Sequence, residues 1–101
     1  MSNIISCTTP TIKYNFKVVD PAHIVEAYLT IYEGRTLVVE RDLTTAVVGE
    51  HSLAWTLTQA ETLEFDKTVV AQLNWLTDSG VRGASEKVRI AISENLKNEV
   101  I

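Results

Sequence analysis

Apolar and polar residues alternate with a period of two along most of this chain. Between positions 11 and 17, Ile12, Tyr14 and Phe16 fall on one side and Thr11, Lys13, Asn15 and Lys17 on the other, the pattern of a strand with one buried face. The same alternation predicts a second strand, with Val25, Ala27, Leu29 and Ile31 inward and Glu26, Tyr28, Thr30 and Tyr32 outward. A third spans 36–42, with Leu37 and Val39 inward and Val38, Glu40 and Asp42 outward. Residues paired across a hairpin point to the same side of a sheet, so joining these two inward faces requires an odd number of connecting residues. Tyr32-Glu33-Gly34 meets that demand, with Gly34 in the left-handed position that closes three-residue loops.

Further along, Thr44–Val48 reads as a short edge strand, and Leu53, Trp55 and Leu57 share one face of the next. Before them, Asp20-Pro21 has the cap and preset φ of a short helical turn. Thr58 and Glu61 have the spacing at which a hydroxyl and a carboxylate each satisfy an orphan amide, predicting one turn of helix with Leu63 and Phe65 beneath it. Thr68–Thr77 is the longest strand and partly apolar on both faces, which marks it as central, with Val69, Ala71, Leu73 and Trp75 on one side and Val70, Gln72, Asn74 and Leu76 on the other. Residues 78–83 form a loop, and a last strand runs from Ala84 to Ser93 with Val88, Ile90 and Ile92 inward.

Val, Ile and Thr make up 32 of the 101 residues, a composition suited to pleated surfaces. Together with short, evenly spaced strands, this predicts an all-β fold: an antiparallel β-sandwich of about seven strands with one or two short helical turns, a small barrel being the alternative. No linker or repeat divides the chain, so residues 10–94 are expected as a single domain, 1–9 as a flexible N-terminal arm and 95–101 as a C-terminal tail. The net charge of −4 leaves no footprint for a phosphate backbone, and nucleic acid is not an expected partner. Cys7 has no second cysteine to pair with, which fits a reducing compartment. The first residues have no basic and then long apolar stretch, and no window reaches the ~18 apolar residues of a membrane span, so neither a cleavable signal nor membrane insertion is expected.

Candidate chemistry is sparse. The two histidines, His23 and His51, sit at predicted turns, with Asp20 and Ser52 as their neighbours, and nucleophilic catalysis needs a nucleophile, a base and an orienting group together. One Cys and two separated His cannot fill a four-ligand zinc site. Gly34, Gly49, Gly80 and Gly83 fall into no phosphate-cradling pattern. The expectation is a protein without catalytic residues, metal or cofactor. Trp55 and Trp75 alternate in phase with inward leucines, which predicts core packing over the exposed platforms of sugar-binding modules. Tyr28, Thr30 and Tyr32, joined by Val38, form the candidate interaction surface, an outward patch of the kind that marks a partner interface.

The stretch from Ser52 to Phe65, the later Trp75-Leu76-Thr77-Asp78-Ser79-Gly80, the Ala84-Ser85-Glu86 strand opening and the closing Leu96–Ile101 resemble small prophage-encoded proteins of Gram-positive bacteria. These are the immunoglobulin-like β-sandwich modules found beside phage tail and baseplate genes, and the resemblance covers the chain from about Pro10 onward. It implies a non-enzymatic structural or interaction module, synthesised in the bacterial cytoplasm and virion-associated. Such a module would act by protein–protein contacts with copies of itself, as a homo-oligomer, or with tail components. A carbohydrate- or small-ligand-binding module is the alternative.

Overall fold

The computed structural model describes Ser2–Ile101; Met1, the first residue of the expected arm, lies outside the described residues. Among the described residues, nine strand segments, β1 (Ser2–Ile5), β2 (Thr11–Asn15), β3 (Ile24–Glu33), β4 (Thr36–Asp42), β5 (Val47–Val48), β6 (Ser52–Thr56), β7 (Thr68–Thr77), β8 (Arg82–Ala84) and β9 (Val88–Ser93), form a β-sandwich of two sheets. The helical parts are α1 (Gln59–Leu63) and single 3₁₀ turns at Pro21–His23 and Leu43–Thr45. The larger sheet has the order β1-β9-β7-β3-β4, with β8 also on β7, and the smaller has the order β2-β6-β5. Alternation explains the core between them. Leu29 and Ile31 from β3, Leu53 and Trp55 from β6, and Val69 and Leu73 from β7 are all fully buried. Each such aliphatic side chain contributes roughly 1.5–3 kcal/mol over its exposed state.

The two sheets are tied by polar groups that close their own hydrogen bonds. The Trp55 indole Nε1 donates to the Asp42 carbonyl at 2.9 Å. Arg41 Nη1 meets Glu61 Oε1 at 2.7 Å, and the same Glu61 carboxylate accepts from the Thr58 amide in the predicted capping box of α1. Thr62, fully buried on α1, donates to the Thr8 carbonyl at 2.7 Å and accepts from the Thr8 amide at 2.9 Å. These two bonds satisfy a backbone segment that no sheet reaches.

Several expectations are corrected. The segment expected as an arm is built into the sheet: β1 pairs with β9, with Ile4 and Cys7 buried. That pairing is parallel, so the larger sheet is mixed rather than wholly antiparallel. The β3–β4 connection is not Tyr32-Glu33-Gly34. Glu33 pairs with Thr36, leaving Gly34 and Arg35 as the loop, with Gly34 at φ 62° in the first position as a type II′ turn requires. The odd residue demanded by parity is instead a bulge at Val38, since Tyr32 pairs with Leu37 and Ile31 with Val39. Val38 therefore packs against the core, while Leu37, expected inward, is 46% exposed. A second irregularity between Ile24 and Glu26 turns Val25 out to solvent.

The edge strand expected at 44–48 shortens to β5, because Asp42 caps the 3₁₀ turn that takes up Leu43–Thr45. The last strand is interrupted at 85–87, where the Ser85 hydroxyl accepts the Leu73 amide at 2.9 Å in place of a ladder carbonyl. Trp75 is half-buried rather than sealed in the core. Its indole meets Phe16 edge-on at 5.2 Å and covers Gly83, where a Cβ would lie 2.4 Å from the ring.

Candidate functional site

Strand β7 is flanked by β3 on one side and by β9 and β8 in succession on the other, so four adjacent columns of residues share one outer face. Pairing register sets the rows. Tyr28 lies between Asp42 and Asn74, Thr30 between Glu40 and Gln72, and Tyr32 between Leu37 and Val70, which in turn pairs with Arg89. Of the predicted surface residues, the structure brings Tyr28, Thr30 and Tyr32 together on this face, with both tyrosines 41% exposed. Val38 is not among them, because of its bulge, and Leu37 takes its place beside Tyr32.

Thr30, Tyr32, Val70, Gln72, Lys87 and Arg89 line a shallow groove of about 680 Å³ across the face. Its charge is asymmetric. Glu26, Glu40 and Asp42 stand toward the β4 side, and Arg82, Lys87 and Arg89 on the β8 and β9 side. The charge of Glu26, with desolvation and the 3.4 Å hydrogen bond from Tyr28 Oη to Glu26, raises the Tyr28 phenol above its ordinary pKa, and Asp42 and Glu40 add to it. The Thr44 hydroxyl and amide hold the Asp42 carboxyl below its usual range, so it stays ionised. Among the described residues, none of Glu26, Glu40, Lys87 and Arg89 takes part in an ion pair.

The histidines are placed apart. His23 Nδ1 lies 3.0 Å from Asp78 Oδ2 on the open surface, and this hydrogen bond, with the charges of Asp78 and Asp20, holds its imidazole above the ordinary pKa. Thr77 and Ser79 hydroxyls nearby bond each other at 3.0 Å. His51 is exposed, 3.9 Å from Glu50, and its neighbour Ser52 is a β6 residue of the other sheet. Among the described residues, no three His, Cys, Asp or Glu side chains cluster as metal ligands, and no helix is long and apolar enough to cross a membrane. A smaller groove of about 260 Å³ runs beside Trp75, between Tyr28, Leu76 and Arg82.

No protein family and no curated protein matches the chain. Among solved structures, it is similar to CopC from Methylosinus trichosporium OB3b, with 18% identity over 93% of this chain and 86% of that one and a TM-score of 0.59. Murine CRIg matches over 92% of this chain and 90% of its own length, with 15% identity and a TM-score of 0.46. The likeness to CopC extends to the fold alone.

Proposed function

We propose that this chain is a non-enzymatic interaction module that binds protein through the outer face of its larger sheet. The setting is the one its sequence resemblance implies, a phage or prophage tail or baseplate assembly. The observation that carries the reading is a contiguous face with two tyrosines and Leu37 in solvent, bordered by charges that take part in no ion pair among the described residues. Exposed aromatics rimmed by charge are the usual anatomy of a protein interface. Pull-down of the proteins encoded by the adjacent genes tests it, comparing the wild type with Tyr28→Ser/Tyr32→Ser and with Lys13→Ser on the smaller sheet. Capture that fails only in the tyrosine variant supports the reading; capture unaffected by the tyrosines, or no capture by a wild type that also does not associate with itself, refutes it. The ligand-binding alternative draws on half-buried Trp75 beside its groove, whose volume is below the ~300–1,000 Å³ common for small-molecule sites.

A further inference from the structure

Resting on the interaction-face reading, we infer that the occupant of this face is a second copy of the same chain, packed sheet to sheet about a two-fold axis parallel to the strands. The distribution of charge selects both partner and axis. A two-fold axis in the plane of the contact and parallel to the strands exchanges the columns while keeping the rows level, so β4 of one copy lies over β9 and β8 of the other. Glu40 shares its row with Thr30 and Gln72. Lys87 immediately precedes Val88, which pairs with Ala71, and so stands beside Gln72 at the opposite margin. Glu40 of each copy thereby faces Lys87 of the other, and symmetry makes the contact twice.

The neighbouring rows agree. Glu26 and Arg82 both flank Leu76, so Arg82 of the second copy comes beside Glu26 and Asp42. Tyr32 lies over Val70 of the second copy, and Leu37 over the stem of its Arg89. A two-fold axis across the strands would instead set the acidic column against itself, at a cost in like-charge repulsion. Four columns ~4.8 Å apart and rows ~6.8 Å apart give a footprint of roughly 500 Å² on each copy. That is at the low end for specific association, as suits a weak, concentration-dependent dimer.

Sedimentation equilibrium of the full chain at about 0.1 mM and low salt tests the inference, since a dissociation constant near ~10 μM would leave mostly dimer there. Glu40→Lys and Lys87→Glu each place two like-charge pairs in the interface and should weaken the dimer about tenfold or more. Both positions are exposed, and circular dichroism confirms folding. Mixing the two variants in equal amounts, or combining both changes in one chain, restores opposite charges at both contacts and should return dimerisation. A monomeric wild type, a dimer indifferent to either reversal, or a mixture that does not recover overturns self-pairing. A wild type that is monomeric yet captures a neighbouring gene's protein through Tyr28 and Tyr32 sinks only the self-pairing. Failure of both removes the interaction-face reading as well.

Discussion

Gly83→Ala isolates the contact that seats Trp75. The backbone at Gly83 has no positive φ, so the substitution adds no conformational strain. It does add a methyl carbon where the indole already lies: an ideal Cβ would be 2.4 Å from Trp75 Cε2 and Cζ2 and 2.8 Å from Nε1. Ordinary van der Waals contact at a Cβ begins at 3.4 Å, so the ring must move by roughly an ångström. Phe16 meets it edge-on at 5.2 Å, and displacement forfeits that aromatic pairing. Overpacking costs about 1–3 kcal/mol and the lost edge-to-face pair about 0.5–1.5 kcal/mol, so Gly83→Ala should destabilise by ~2–4 kcal/mol. In a domain of this size each kcal/mol lowers Tm by roughly 4–8 °C. Urea unfolding followed by circular dichroism measures the loss, and tryptophan fluorescence should shift to the red as the indole is pushed toward water. Gly34→Ala is the counterpart, with φ 62° and nothing within 4 Å of the new Cβ, so its cost is backbone strain of ~1 kcal/mol and its fluorescence is unchanged. A Gly83→Ala protein within ~0.5 kcal/mol of wild type, with unaltered emission, would refute this placement of Trp75.

Thr62→Val keeps the shape of a buried side chain but strips both partners from Thr8, and chemical denaturation should show a loss of about 1–3 kcal/mol. Trp55→Phe removes the bond to the Asp42 carbonyl and part of a fully buried ring; a cost of ~2–4 kcal/mol by thermal unfolding is expected. The folded-state pKa of His23 is raised by Asp78, so its contribution to stability is fully present below the unfolded value of about 6.5 and is lost as pH rises through the folded one. Asp78→Asn should lower the His23 midpoint in an NMR titration and flatten that pH dependence, and an unmoved midpoint would exclude the pair.

The sequence by itself determined the faces. Period-two alternation assigned Leu29, Ile31, Leu53, Trp55, Val69 and Leu73 to the interior, because burying one side of a strand is a local constraint carried by every second residue. The Asp20 cap and the Thr58–Glu61 capping box were legible for the same reason, since both partners lie within a few residues. Parity likewise showed that the β3–β4 connection holds an odd residue. Its position was not legible: a loop residue would keep Leu37 inward with Val39, whereas the bulge at Val38 keeps only Val39 inward and turns Leu37 out, and only packing between the sheets chooses. Tertiary structure alone decided that β1 pairs with β9 some ninety residues away, where no local signal favours strand over arm. It also decided the candidate site. Tyr28, Thr30 and Tyr32 could be read as one outward face, but Glu40 and Lys87 enter the same row only when β7 and β9 stack beside β3. Cross-strand register is fixed by contacts distant in sequence, which alternation within a strand does not encode.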